Sequence, residues 1–341
     1  MTTFSAVITT GIYCRPGCGA RPNAENVRTF ELAAAAEAAG FRACLRCRPY
    51  RIAGDLPWDA PELVCQAVQL IIAGELDIGS EADLGARLGL SARHLRRLFH
   101  EHLGLTPDQL ARSRRAHFAR RLLDDTDLTI ADIAFASGFG SLRQFNRAMQ
   151  EVFRDSPQLL RQRRRKADRL VADGGLTMRL PHVSGYDWPQ AVKTLATRAI
   201  PGVESVEDGV YRRTITLDGG PGLLEIRDGG SDHLLLQAHL PYWEGLIHVV
   251  DRVRLMLGLD GTAPRAWAPF EAGVADLLRR DGGDTRARMG ELVRAHGPAR
   301  PGLGHGLTHA FPDAETLAAA ADPVIGAFAK AVAAGDIHLN D

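Results

Sequence analysis

Between Pro61 and about Gln162 apolar residues recur at three- and four-residue spacing, interrupted by Gly and Pro, which predicts a succession of short helices. The stretch repeats itself. Asp83-Leu84 and Gly89 match Asp132-Ile133 and Gly138. After one inserted residue, Ser91, Leu95, Phe99, Leu103, Pro107 and Leu110 match Ser141, Phe145, Met149, Phe153, Pro157 and Leu160. Each copy reads as helix, Gly-containing turn, helix, then a Pro-started helix, so two helix-turn-helix units are expected. Beyond residue 175 the pattern changes: "LTMRLP", "GVYRRTITLDG", "PGLLEIRD" and "HLLLQAHLP" predict short strands with Gly-rich turns, and "WPQAVKTLATRAI" and "LIHVVDRVRLMLGL" predict helices among them. From about Pro264 to Asp341 an Ala-rich helical pattern returns, broken by "GPARPGLGHG". The run "RQRRRKADR" with "ADGG" after it reads as a solvated linker.

At 341 residues and 45% hydrophobic content the chain is long enough for two or three domains. No apolar run approaches a membrane span and "MTTFSAVITTGIYC" lacks the basic start of a secretion signal, so a cytoplasmic protein with no membrane partner is expected. The net charge of zero hides an asymmetry. Residues 1 to 170 hold 25 Lys plus Arg against 19 Asp plus Glu, and 24 of those 25 are Arg, whose planar fork suits phosphates and guanine edges. The front half is therefore expected to meet a polyanion.

Residues 1 to about 52 show no long period and form a Cys/Arg-rich module small enough to need a metal. Of five cysteines, four lie in two tight pairs, Cys14 with Cys18 and Cys44 with Cys47. Two thiols two or three residues apart can face one ion across a turn, and two such pairs supply the tetrahedral set that Zn²⁺ prefers. Such a site is either a closed structural knot or a reagent. Arg15, Arg21, Arg42, Arg46 and Arg48 around the pairs point to the second, because they would bring a phosphate backbone to the metal. Four thiolates on one dication leave a net charge near −2 and electron-rich sulfurs. The fifth, Cys65 in "PELVCQAVQLI", reads as a small buried filler.

The second helix of each unit is expected to read DNA bases. In "SARHLRRLFHEHLG", capped by Ser91, the exposed residues would be Arg93, His94, Arg96 and Arg97; in "SLRQFNRAMQEVF", capped by Ser141, they would be Arg143, Gln144, Asn146 and Arg147. Arg to guanine and Asn or Gln to adenine are the usual pairings.

Three resemblances add to these readings. "TGIYCRPGCGARPNAENVRTF" with "AAGFRACLRCRP" resembles the N-terminal domain of the Ada family of alkylation-response proteins. The resemblance implies a zinc-activated first cysteine, here Cys14, that accepts a methyl group from a methylphosphotriester, with backbone contacts from Thr10, Arg21, Arg42 and Arg46. Gly17 stands where Ser is usual, which would loosen the turn without removing a ligand. Transfer would make Cys14 a thioether and remove one negative charge. At about 8 Å and an effective dielectric of about 20 this relieves about 2 kcal/mol of repulsion per facing phosphate, before salt screening.

"TIADIAFASGFGSLRQFNRAMQEVFRDSP" resembles the second unit of the AraC-type DNA-binding domain, which implies promoter recognition and contact with RNA polymerase. "YDWPQAVKTLATRAIPGVE" and "YRRTITLDGGPGLLEI" resemble the N-terminal domain of AlkA-type 3-methyladenine DNA glycosylases. Those enzymes need a helix-hairpin-helix followed by an Asp, and this sequence stops at Asp341, where the family would have both still to come. A glycosylase remnant is expected there. No "PCHR"-like motif of O6-alkylguanine transferases occurs.

The expected fold is multidomain α+β. A small zinc-bound α/β module spans residues 1–52, an all-α double helix-turn-helix domain 60–165, an antiparallel α/β domain 175–262 and a short helical tail 264–341. The expected function is single-turnover methylphosphotriester repair coupled to activation of alkylation-damage genes, with Zn²⁺ as cofactor and double-stranded DNA as partner. The alternatives are a 3-methyladenine glycosylase fused to an alkylation sensor, and a DNA-binding regulator with a purely structural zinc.

Overall fold

The structure, a computed structural model, describes residues 3–52, 59–170, 175–218, 220–280, 282–320 and 322–337. The chain divides into two compact units. The first comprises Met1–Val171, Pro181–Val183 and Trp243–Arg254, and the second Ala172–Leu180, Ser184–Tyr242 and Leu255–Asp341.

The first unit begins with β1 (Phe4–Val7), β2 (Ile12–Cys14), β3 (Val27–Phe30), α1 (Ala33–Ala38) and β4 (Arg42–Ala43), the strands lying in the order β3-β1-β2-β4. β1 pairs antiparallel with β2 and β3, whereas β2 and β4 run parallel. Strands this short carry too few positions for a legible alternation. Helix α1, "AAAAEA", turns Ala34, Ala35 and Ala36 inward.

Among the described residues eight helices follow: α2 (Glu62–Ile72), α3 (Glu75–Ile78), α4 (Glu81–Arg87), α5 (Ala92–Leu103), α6 (Pro107–Asp125), α7 (Ile130–Ala136), α8 (Leu142–Phe153) and α9 (Pro157–Gln162). The repeat read from the sequence is a repeat of caps. Ser80 with Asp83 and Thr129 with Asp132 close capping boxes on α4 and α7. The Ser91 and Ser141 hydroxyls accept from the amides of His94 and Gln144 to start α5 and α8. Thr106-Pro107 and Ser156-Pro157 start α6 and α9, each Pro at a first-turn position where its missing N–H costs nothing. Gly138, in the turn of the second unit, has φ +78, and a Cβ there would come within 2.8 Å of Asp77 Oδ2. Among the partly exposed cysteines is Cys65, expected to be buried; its thiol donates to the Ala60 carbonyl at 3.2 Å.

One core joins the module to the first helix-turn-helix unit. Ala34 and Ala35 of α1 pack with Val64, Val68, Leu84, Leu95, Phe99 and Leu110. Most of the run read as a solvated linker is exposed over residues 162–169, and residues 171–174 lie outside the described residues, but one member is built in. Asp168, in a 3₁₀ turn over Lys166–Asp168, is buried, because its carboxylate accepts from an arginine of the module.

The second unit holds β5 (Leu176–Pro181), α10 (Trp188–Arg198), β6 (Glu204–Glu207), β7 (Val210–Leu217), β8 (Gly220–Asp228) and β9 (His233–His239) in one sheet ordered β5-β9-β8-β7-β6. β6 with β7, β7 with β8 and β8 with β9 pair antiparallel. α11 (Leu246–Leu257) follows in the chain and belongs to the first unit as far as Arg254; α12 (Pro269–Arg280), α13 (Thr285–His296), α14 (Ala314–Leu317) and α15 (Pro323–Ala333) complete the second. α12 to α15 bury Val274, Leu278, Met289, Val293, Leu317 and Ile325 against Ile200 and Val203. Arg213 of β7, 2% exposed, joins sheet to helices by donating to Glu204 at 2.6 Å and to Glu271 of α12. Such a buried cation is tolerable only because both carboxylates face it. Asp341 lies outside the described residues. No described helix is long and apolar enough to cross a membrane.

Candidate metal centre and nucleic-acid surface

Strand pairing brings the cysteine pairs together. Tyr13 stands opposite Ala43 in the parallel β2–β4 pair, and the Cys44 amide donates to the Tyr13 carbonyl at 3.0 Å. Cys14 and Cys44 therefore leave adjacent strand ends on the same side. Each strand then turns: the Cys18 amide bonds the Arg15 carbonyl at 3.3 Å, and the Arg48 amide bonds the Cys44 carbonyl at 2.9 Å, which returns Cys18 and Cys47 to the first two sulfurs. Gly17 occupies φ +73 in the first turn. Glycine adopts this left-handed conformation without steric cost, so it suits the turn rather than loosening it.

The sulfurs of Cys14, Cys18, Cys44 and Cys47 all lie within 4.8 Å of one another. Burial above all, and then the neighbouring sulfurs, push the Cys14 thiol far above its ordinary range. Cys47 is pushed up to about 11 by burial, with Cys44 adding to it. For Cys44 burial opposes ionisation, but the amides of Cys47 and Arg46 outweigh it and lower its pKa. Four crowded sulfurs that resist shared negative charge fit a dication that would neutralise it, and an all-sulfur set of this spacing suits Zn²⁺.

The expected DNA contacts divide. Thr10, Arg21 and Arg46 are exposed and Arg42 is half-buried. The Arg46 guanidinium lies beside Gly19, where a Cβ would sit 3.5 Å from Nη2, so this arginine stands next to the cysteine pair. Arg48 does not reach outward. It is 7% exposed and donates to Asp168 at 2.6 Å, which removes it from the arginines expected to meet phosphate. Cys14 itself is 6% exposed.

On α5 and α8, Arg93, His94, Arg96, Arg97, Arg143, Gln144, Asn146 and Arg147 are all exposed, while Leu95, Phe99, Phe145 and Met149 are buried beneath them. Arg96 pairs with Glu81, Arg97 with Glu101 and Arg147 with Glu151. Among the described residues Arg93 and Arg143 make no ion pair.

Sequence reasoning missed a second set of charges. Asp124 and Asp125 at the end of α6, together with Asp168, receive Arg48, Tyr50 and Arg51 from the segment that follows Cys47. The signal was present as "CRPYR", in which two cations flank an aromatic residue. Nothing local in the sequence says that their partners lie some seventy residues or more away.

Comparison with known proteins matches three family models: the metal binding domain of Ada over residues 2–50, a helix-turn-helix domain over 84–163, and the AlkA N-terminal domain over 177–281. The probable bifunctional transcriptional activator/DNA repair enzyme AlkA of Mycobacterium tuberculosis H37Rv is 35% identical over 346 aligned residues, covering 92% of this chain and 69% of that one. The bifunctional transcriptional activator/DNA repair enzyme AdaA of Bacillus subtilis is 31% identical over 161 residues, covering 47% of this chain and 74% of the relative. The corresponding Ada of Escherichia coli K12 is 35% identical over 153 residues, 43% of this chain and 40% of its own. A cysteine cluster shaped by strand pairing, a duplicated helix-turn-helix and the length of these matches agree: the chain belongs to the Ada/AlkA family of bifunctional transcriptional activators and DNA repair enzymes.

Proposed function

We propose that this protein repairs methylphosphotriesters in DNA by one irreversible methyl transfer to Cys14, and that the transfer strengthens binding to the promoters it activates. The convergence of Cys14, Cys18, Cys44 and Cys47 in a chain that also carries two helix-turn-helix units supports this reading most directly. Zinc held by the four residues would keep the sulfurs deprotonated and electron-rich at neutral pH. Cys14 Sγ then attacks the methyl carbon. An S–C bond forms, the C–O bond breaks, and the departing oxygen keeps the electron pair as an ordinary anionic phosphodiester. Thr10, Arg21, Arg42 and Arg46 hold the flanking phosphates. The cluster loses one negative charge, and nearby phosphates are repelled less. A thioether is not readily hydrolysed, so each molecule reacts once.

Arg93, His94, Arg96 and Arg97 on α5, with Arg143, Gln144, Asn146 and Arg147 on α8, are proposed to read base edges in the major groove. RNA polymerase is the proposed recipient of the activating contact. Base excision stays outside the proposal, since the matched stretch belongs to the N-terminal domain of the AlkA-type family and a shared fold carries no chemistry by itself.

The burial of Cys14 favours a second reading, in which the zinc is purely structural. Intact mass after incubation with duplex carrying methylated phosphates separates the two. A gain of one methyl, mapped to Cys14 and absent in Cys14→Ala, is expected. Full zinc content without any methyl gain would leave the structural reading standing.

A further inference from the structure

Arg48, Tyr50 and Arg51 follow directly on Cys47 and end in a buried carboxylate trio on another part of the first unit. Arg48 Nη1 lies 2.6 Å from Asp168 and 3.7 Å from Asp124. Arg51 reaches Asp124 at 3.0 Å, Asp168 at 3.2 Å and Asp125 at 3.4 Å, and the Tyr50 hydroxyl donates to Asp124 at 3.1 Å. Asp124 is fully buried and also accepts from Arg120 at 2.5 Å. Asp124 and Asp125 close α6, the helix that runs between the two helix-turn-helix units, and Asp168 lies just past α9, the last helix of the second. A second tie runs from Tyr13, beside Cys14. Its hydroxyl and His117 of α6 both meet Glu37 of α1 at 2.6 Å.

The conformation that aims Arg48 is unusual. Arg48 sits at φ +52, a left-handed geometry that side chains rarely adopt, and its amide is held by the Cys44 carbonyl. Between β4 and the 3₁₀ turn at Pro49–Arg51 no regular secondary structure fixes the backbone. The hydrogen bonds that hold it run from the Arg48 amide to the Cys44 carbonyl and from the Arg51 amide to the Arg48 carbonyl, both at 2.9 Å, so it starts in the turn that carries Cys44 and Cys47. If that turn loosens, the strained residue relaxes and the buried carboxylates lose Arg48 and Arg51, leaving Asp124 with Arg120 alone, an arrangement that low-dielectric surroundings penalise.

We propose that Arg48, Tyr50 and Arg51 form a latch through which the integrity of the cysteine cluster sets the order of α6 and of the segment beyond α9. Metal-loaded, the cluster and both helix-turn-helix units are one body. Metal-free, the end of α6 is released. The latch rests on the metal site and not on methyl transfer, so it stands or falls separately from the acceptor role of Cys14.

Amide hydrogen exchange on the full chain, with zinc bound and after chelation, tests it. In the wild type, chelation is expected to speed exchange across residues 118–125 by about tenfold, the equivalent of losing one charge-assisted hydrogen bond. In Arg48→Gln with zinc bound, exchange there should already be fast, and chelation should add little. If that variant does not fold, Asp168→Asn, which removes one charge of the carboxylate trio and leaves Arg48 and Arg51 facing Asp124, should give the same pattern in milder form. Equal exchange over residues 118–125 in zinc-bound and zinc-free wild type would overturn the latch, as would a normal chelation response in a folded variant. Neither readout involves DNA or a methyl donor.

Discussion

The amide of Cys44 donates to the carbonyl of Tyr13 at 3.0 Å, so a hydrogen bond between parallel strands sets Cys14 and Cys44 side by side. Half of the ligand set is thus placed by the sheet, and the other half by the two turns that follow.

Loss of a ligand from either half should cripple the metal site. Cys18→Ser and Cys44→Ser are each expected to weaken zinc by more than about a hundredfold, beyond the range of outer-shell changes. Competition with a chromophoric chelator measures this. Zinc affinity unchanged in either variant would contradict a four-thiolate site.

Stability of the second helix-turn-helix should depend on its core far more than on its cap. Phe145 is fully buried, so Phe145→Ala is expected to cost about 3–5 kcal/mol. Ser141, which caps α8, should cost only about 1 kcal/mol when replaced by Ala. Chemical denaturation of the two variants gives the comparison.

Among the exposed arginines of α5 and α8, the two that make no ion pair among the described residues should matter most for base reading. Arg93→Ala and Arg143→Ala are each expected to weaken promoter binding by about 1–3 kcal/mol if they read bases. A uniform loss across sequences, with the salt slope reduced by about one, would assign them to phosphate instead. Arg147 already pairs with Glu151 at 2.8 Å and must exchange that partner, so its removal should cost less.

The first unit should also carry a pH-dependent contact. His248 lies 2.7 Å from Asp77 Oδ2; burial works against its protonation, but the hydrogen bond and charge of Asp77 outweigh it and raise its pKa. A raised histidine contributes stability that is fully present below its unfolded value of about 6.5 and is lost as pH rises through the folded one. Asp77→Asn should therefore lower the melting temperature more at pH 6 than at pH 9, where only the loss of its pairing with Arg115 at 3.7 Å remains. Equal losses at both pH values would show that protonated His248 adds nothing to the contact.

Much of this architecture was legible locally. Ser80, Ser91, Thr129 and Ser141 announce helix starts, and the strands of the second unit announce themselves by alternation. Strand β6 was missed although its turn was signalled: Asp208-Gly209, with φ +52 and +74, is a two-residue hairpin turn between β6 and β7. The surrounding "VESVEDGV" is too polar to show a buried face, and β6 is only partly buried.

The sequence by itself determined the four cysteines that come together, the duplicated units and the exposed face of α5 and α8, because spacing and capping act within a few residues. Tertiary structure alone decided that Arg48 faces inward, that Asp168 belongs to the core instead of a linker, and that Cys14 is buried. The reason is physical: a buried ion pair is fixed by which distant carboxylate can desolvate with it, and that choice is made only when the chain folds back on itself.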